Sequence, residues 1–235
     1  MNSIRKSMFK TIGEIHSGPR IRKMHIFRAI NKTPSFKAVL DAGCGGGDYI
    51  FYLAQRYPDS TFDGFEIDPI HYQECQIKKQ KLKLDNVNIL LGDLTKPIYQ
   101  NKYDLIYSID VLEHIKNDII ALQNMYDALG TGGKLILHVP LIEEHIFKKI
   151  KSMPKQDDHV REGYDIEDII YKLNNIGFKI NKKQYTFSKY KGALAWELNR
   201  MYPYITYPLV IVLCYLDVFT PNKSGGGILI IAEKR

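Results

Sequence analysis

Four glycines fall within five residues directly after an acid and an apolar run: Val39-Leu40-Asp41-Ala42-Gly43-Cys44-Gly45-Gly46-Gly47-Asp48. Ala38-Val39-Leu40 reads as a short buried strand, and Asp48 to Arg56 as a helix closed by Tyr57-Pro58. The glycines therefore stand at a strand-to-helix junction, where a ligand can approach the backbone closely. The dinucleotide spacing GxGxxG does not fit. Started at Gly43, its last position falls on Asp48; started at Gly45, it falls on Ile50. What stands is DxGxGxG. The Asp41 carboxylate before the first glycine repels a pyrophosphate but suits an α-ammonium. The expected ligand is a nucleoside that carries an ammonium, not a dinucleotide.

The rest of the chain supplies a sheet around that junction. Strands are expected over Thr61–Glu66, Val87–Leu91, Tyr103–Ile109 and Lys134–Val139, and helices over Ile70–Leu84 and Asp118–Leu129, the latter stopped by Gly130. Alternation of this kind means βαβ units and a parallel sheet covered on both faces. The strands are continuous apolar runs, as fully buried parallel strands are. Beyond Pro140 come a helix over Asp165–Asn175, capped by Asp165 with Asp168 three residues on and ended by Gly177, then a strand over Phe178–Phe187 and a last strand over Gly227–Ala232. Residues 3–32 read as two helices broken at Ser17-Gly18-Pro19, with Pro19 in the first turn of the second and Ile21, Met24, Phe27 and Ile30 facing the domain. The expected organisation is a helical cap over 1–36 and one domain over 37–235, with an apolar insertion at 188–224.

Two further acids end strands. Glu66, in Gly64-Phe65-Glu66-Ile67-Asp68-Pro69, stands about twenty residues after the glycines, where a carboxylate accepts from both hydroxyls of a ribose. Ile67 is placed to pack on an adenine face. Asp93, in Gly92-Asp93-Leu94, follows the third strand and is placed to accept from an adenine amino group. Each acid alone is more often a helix cap or a surface residue. Three at successive strand ends, on the ligand-binding edge of a parallel sheet, make a pattern.

With these residues in view, the chain resembles the class I S-adenosylmethionine-dependent methyltransferases. It is most similar to the group whose fourth strand runs into a "VLEH" segment, here Ile109-Asp110-Val111-Leu112-Glu113-His114. Gly132-Gly133-Lys134-Leu135, Asp158-His159-Val160-Arg161 and Gly177-Phe178 resemble that group's later landmarks. The resemblance implies an α/β, Rossmann-like fold with a mostly parallel seven-stranded sheet and an antiparallel last strand. It implies S-adenosyl-L-methionine as cofactor. Asp41, Gly43, Gly45 and Gly47 would hold its methionine end, Glu66 its ribose, Ile67, Asp93 and Leu94 its adenine, and Ile109 and Asp110 the methyl-donating face. His114, after strand four, is the first candidate for a general base and His159 the second; the bland reading makes them a turn residue and a loop pin. Arg161 has two readings of equal weight, an anion partner or a loop tie, and His138 reads as core-adjacent.

Composition narrows the setting. Cys44, Cys75 and Cys214 are far apart with no CxxC pair, which supports neither a disulfide framework nor a zinc ribbon and suggests a reducing, cytoplasmic setting. No His/Cys/Asp cluster has metal-ligand spacing. The N-terminal residues lack the apolar core of a signal peptide. Met201–Leu216 is charge-free but carries Pro203 and Pro208 and is shorter than the roughly twenty residues of a spanning helix. Residues 1–37 hold nine Lys/Arg against the single acid Glu14, within a net charge of +7. Such an arm can meet phosphates. No aromatic stacking platform accompanies it, there is no [DNS]PP[YFW] segment after strand four and no Pro-Cys dipeptide, so a nucleic-acid substrate is disfavoured. The expected activity is methyl transfer to a small-molecule or lipid-like acceptor, at a hydroxyl oxygen, with peripheral membrane contact as a further expectation. The alternatives are an RNA methyltransferase and a non-catalytic cofactor-binding scaffold.

Overall fold

The computed structural model describes residues 16–142, 160–201 and 205–235. The chain runs α1 (Ser17–Asn31), β1 (Ala38–Ala42), α2 (Ile50–Arg56), β2 (Thr61–Glu66), α3 (Pro69–Leu82), β3 (Val87–Leu91) and β4 (Tyr103–Ile109). It continues through α4 (Asp118–Ala128), β5 (Leu129–Pro140), α5 (Ile166–Ile176), β6 (Phe178–Ser188), α6 (Lys191–Met201), α7 (Tyr207–Phe219) and β7 (Gly225–Lys234). The seven strands form one sheet in the order β3-β2-β1-β4-β5-β7-β6. The β1–β2, β1–β4, β2–β3 and β4–β5 pairs are parallel, while β7 is antiparallel to both β5 and β6. β6 therefore points the same way as β1–β5, and its last residue, Ser188, lies at their carboxyl edge. From β1 the chain steps outward to β2 and β3, then returns to β4 on the other side of β1. That reversal opens a crevice beyond the carboxyl ends of β1 and β4.

The core explains why these strands are central. Leu40, Leu105, Ile106, Tyr107, Leu135, Ile136 and Leu137 are fully buried. Each aliphatic side chain withdrawn from water contributes about 1.5–3 kcal/mol. Both faces of β4 pack, Ile106 with Leu122 and Met125 on one side, Leu105 and Tyr107 with Ile50 and Phe51 on the other.

Several boundaries differ from expectation. β5 begins at Leu129, five residues before Lys134, because Leu129 already pairs with Tyr103 and the register then shifts. Gly133 allows the shift, since a Cβ there would lie 2.8 Å from the Gly130 oxygen. α3 stops at Leu82 because Lys83 takes a left-handed φ of 53°. β3 and β4 are joined by a stretch without a helix. α1 starts at Ser17, two residues before Pro19, which falls in its first turn. Its buried stripe is Ile21, His25, Ile26, Ala29 and Ile30; Met24 and Phe27 lie at its half-buried margin. The helix expected before Ser17 lies outside the described residues. The Asp165 cap is present, accepting from the Glu167 and Asp168 amides, but Asp168 pairs with Lys172 at 2.9 Å instead of closing a box.

Residues after Ser188 form two helices at the carboxyl edge. α7 lies beside α1 and runs the same way. Arg20 Nη2 donates to the Tyr207 hydroxyl at 2.5 Å, His25 Nε2 is 3.0 Å from Asp217 Oδ1, and Arg28 donates to the Val218 carbonyl. Pro208 sits in the first turn of α7 and does not break it. No helix among the described residues is long and apolar enough to cross a membrane.

Candidate active site

The glycine loop is shaped from below and behind. The amides of Gly43 and Cys44 both donate to the Phe65 carbonyl, at 3.0 and 2.9 Å. Gly43 has φ +91°, and a Cβ on it would lie 2.5 Å from Val111 Cγ2, so the loop packs directly against the turn after β4. Gly45 has φ +50° with nothing within 4 Å of its Cβ position, which leaves its outer side open. From α3, the Cys75 thiol donates to the Gly45 carbonyl at 3.1 Å and Lys78 Nζ to the Gly46 carbonyl at 2.5 Å.

Asp41 ends β1 beneath this loop and is 3% exposed. Its Oδ2 has no hydrogen-bond partner. Burial pushes its carboxyl well above the usual range, and the nearby Tyr107 hydroxyl only partly offsets that. A buried acid without a counter-charge calls for a cation. Glu66 is buried at the end of β2, where Oε2 accepts from the Gly45 amide at 2.6 Å and Oε1 from the Asp68 amide at 2.8 Å. Each oxygen keeps acceptor capacity for a ligand hydroxyl. Ile67 beside it is 65% exposed, an unusual position for isoleucine unless something packs on it. These residues fit the methionine and ribose ends of S-adenosylmethionine: an orphaned acid for the ammonium, an open glycine and a positioned carboxylate.

The adenine end is less distinct. Asp93 Oδ1 accepts from the Thr95 amide and hydroxyl, both at 2.8 Å, and these bonds hold its carboxyl below the usual range. It caps the turn after β3 while its other oxygen remains an acceptor. Leu94 is a core residue whose carbonyl accepts from Asn124 Nδ2 at 2.8 Å.

At the end of β4, Ile109 is half-buried and Asp110 takes a left-handed φ of 52°. Its Oδ2 is 2.6 Å from Arg22 Nη1, and its Oδ1 is 2.5 Å from His138 Nδ1. His138 Nε2 in turn meets the Thr186 hydroxyl at 2.9 Å. Burial alone would raise the Asp110 carboxyl, but His138 and Arg22 outweigh it and hold the acid below its usual value. Next along, Glu113 is 1% exposed with Oε2 unpartnered, and burial, reinforced by the Asp110 charge, pushes its carboxyl up to about 8. His114 closes a single 3₁₀ turn, Leu112–His114, and is half-buried. His159 lies outside the described residues.

Arg161 ties this turn down. Its Nη1 donates to the carbonyls of Leu112 and Ile115 at 2.6 and 2.8 Å and to the Tyr164 hydroxyl at 2.8 Å, and its Nη2 to the Lys116 carbonyl at 3.1 Å. Of its two readings, the geometry supports the loop tie. The structure joins Gly45 to Glu66 by a hydrogen bond, ties Gly43 to the strand that ends in Glu66, buries Asp41 beneath the same loop, and sets the turn after β4 against Gly43 through Val111. Arg22 and Glu113 are not legible in the sequence as site residues. Arg22 looks like one cation in a basic arm, and Glu113 is unusual only because it is buried. Among the described residues no cluster of His, Cys, Asp or Glu could hold a metal ion.

Comparison with known proteins bears on the family and the fold. The methyltransferase-domain family profile matches residues 35–187. The tRNA U34 carboxymethyltransferase of Sulfurovum sp. (strain NBC37-1) is 31% identical over 107 residues, 46% of this chain and 35% of that protein. The (S)-coclaurine N-methyltransferase of Thalictrum flavum subsp. glaucum is 30% identical over 112 residues, 48% of this chain and 29% of that protein. The matched stretch thus spans about a third of these relatives' length. In fold, the crystal structure of a SAM-dependent methyltransferase from Aquifex aeolicus superposes with a TM-score of 0.62 at 15% identity, covering 97% of this chain and 98% of that one. The matched profile and the fold together place the chain in the class I S-adenosylmethionine-dependent methyltransferase family.

Proposed function

We propose that this chain methylates a small-molecule or lipid-like acceptor at a hydroxyl oxygen, using S-adenosylmethionine. The observation that carries the cofactor half is Asp41: a buried carboxyl with one oxygen unpartnered, under an open glycine and near a carboxylate already fixed by backbone amides. Asp41 and the loop from Gly43 to Gly47 would hold the amino-acid end, Glu66 the ribose, Ile67 and Asp93 the adenine. Bound there, the cofactor supplies a methyl group already activated by a positive sulfur, so the protein's main task is alignment of the acceptor. Asp110, kept anionic by His138 and Arg22, precedes the turn that carries His114, which Arg161 ties down. His114, half-buried in the turn after β4, is the residue proposed as general base for a hydroxyl acceptor. The three free thiols support a reducing, cytoplasmic setting.

The apolar α6–α7 insertion at the same edge supports a lipid-like acceptor. An RNA acceptor draws support from the tRNA-modifying relative and the basic α1. Against it, Arg22 and Lys23 of α1 are matched by Asp110 and Asp48.

The first test is S-adenosylhomocysteine binding by calorimetry. Micromolar binding is expected for the wild type. Glu66→Ala removes charge-assisted bonds worth about 1.5–3 kcal/mol, a roughly 10–150-fold weakening. A folded wild-type sample that binds nothing would bring the scaffold alternative, without catalysis, to the front.

A further inference from the structure

We infer that the outer face of α7 seats this protein on an anionic lipid bilayer. The inference deepens the lipid-like acceptor reading and takes its purpose from it, but the contact stands on separate observations.

The first is the pattern of exposure. α7 shows solvent Pro208, Leu209, Val212, Tyr215, Leu216 and Phe219. At 100° per residue these six share an arc of about 120°, with no exposed charge or amide among them. Leu209, Val212, Tyr215 and Phe219 are each half or more exposed, and Ile205, just before the helix, is 83% exposed. The only charged residue in α7, Asp217, points the other way, buried against His25 and accepting from the Ser188 amide at 2.7 Å. A contiguous apolar strip of this kind on a monomer marks an interaction surface.

The second observation is the charge around the strip. The Arg28 guanidinium stands 4.6 Å from the Phe219 ring centroid, and Lys191 Nζ donates to the Thr220 hydroxyl at 2.5 Å. Lys223 is exposed just past the helix. Lys182 lies near Arg28 and Lys32, close enough that their repulsion adds to burial in depressing its ammonium. Arg28 meets the Val218 carbonyl and the Phe219 ring, and Lys191 a hydroxyl, so neither cation has its charge cancelled by these contacts. Of the two acids between residues 188 and 225, Asp217 is buried and Glu197 is paired with Arg200 at 2.9 Å. An apolar strip with cations gathered at its C-terminal end matches the acyl boundary and phosphates of an anionic membrane.

The third is placement. α6 and α7 link the end of β6 to the start of β7, at the sheet edge that carries the glycine loop. A bilayer contact through this insertion would put the membrane on the segment that joins the sheet at its carboxyl edge.

The test is vesicle flotation with phosphatidylcholine alone and with phosphatidylcholine mixed with phosphatidylglycerol, at low and high salt. The wild type should float with the anionic vesicles and less so at high salt. Val212→Glu/Leu216→Glu should weaken that binding at least about tenfold. Both positions are exposed, so thermal melting and S-adenosylhomocysteine affinity should stay unchanged. Leu209→Glu gives an independent variant on the same strip and should also weaken binding. Wild type that ignores anionic vesicles, or folded variants that bind as well as wild type, would overturn the inference. So would a wild-type dimer that the glutamates dissolve without any lipid binding. Vesicle binding without S-adenosylhomocysteine binding would sink the methyl-transfer reading and leave the lipid surface standing.

Discussion

His138 Nδ1 lies 2.5 Å from Asp110 Oδ1, and so a residue of β5 holds the acid that ends β4. Arg22 of α1 holds the other oxygen of the same carboxylate at 2.6 Å. The acid that faces the crevice is thus the point where sheet and N-terminal helix meet. The Arg22–Asp110 pair is partly exposed, so its coupling is modest. In a double-mutant cycle with Arg22→Gln and Asp110→Asn, unfolding free energies should show about 1 kcal/mol of interaction. Additive effects would mean that the contact contributes nothing. The sign with pH follows from the depressed Asp110 value. Its stabilisation is present above the ordinary carboxylate range and is lost as pH falls through the lower folded value.

Asp41 behaves in the opposite sense. Its folded value is raised, so the native state favours the protonated acid. Stability is fully present below the ordinary carboxylate value and is lost as pH rises through the folded one. Asp41→Asn should therefore be more stable than wild type at neutral pH, by about 1 kcal/mol, with a flatter dependence of Tm on pH. The same substitution should weaken S-adenosylhomocysteine binding by roughly 10–150-fold. Gain of stability together with loss of affinity marks a group kept for ligand and not for folding. Glu113 adds to the same slope between 4.5 and about 8, and Glu113→Gln should remove its part. An unchanged melting profile in both variants would refute this assignment.

Arg161 reaches three carbonyls and one hydroxyl with a planar fork. Lysine carries its donors on one point and does not span them. Arg161→Lys should lose about 2 kcal/mol in urea unfolding, nearly as much as Arg161→Ala. If lysine restores most of the stability, charge and not shape is what the turn needs.

How much of this is legible in the sequence depends on the range of the interactions. β2, β3 and β4 match their expected bounds residue for residue; β4 is the buried apolar run expected of a central strand, whereas β3 lies at the sheet edge with Asn88 and Leu91 exposed. Gly43, Gly45 and Gly47 all have positive φ, as their place between strand and helix requires. The start of β5 escapes a sequence reading because Leu129 looks like the last turn of a helix until Tyr103 is seen beside it. Arg22 is unreadable for a related reason: its partner is 88 residues away and nothing near it in the sequence is acidic but Glu14. Asp93 shows the reverse limit. Its position at a strand end points to a ligand, while its bonds to Thr95 show the local turn it also serves.

The His25–Asp217 contact bears on the order in which this chain is built. The two residues are 192 positions apart, so α1 leaves the ribosome long before its partner helix exists. Ile26, Ala29 and Ile30 can settle on the sheet early, since their neighbours Ile50 and Phe51 follow closely. Ile21 must wait for Ala195, Val210 and Cys214. A nascent chain therefore carries a half-docked first helix, with a polar histidine and an apolar stripe uncovered, through most of its synthesis. Closing that gap joins residues 192 positions apart, a long-range step in its folding.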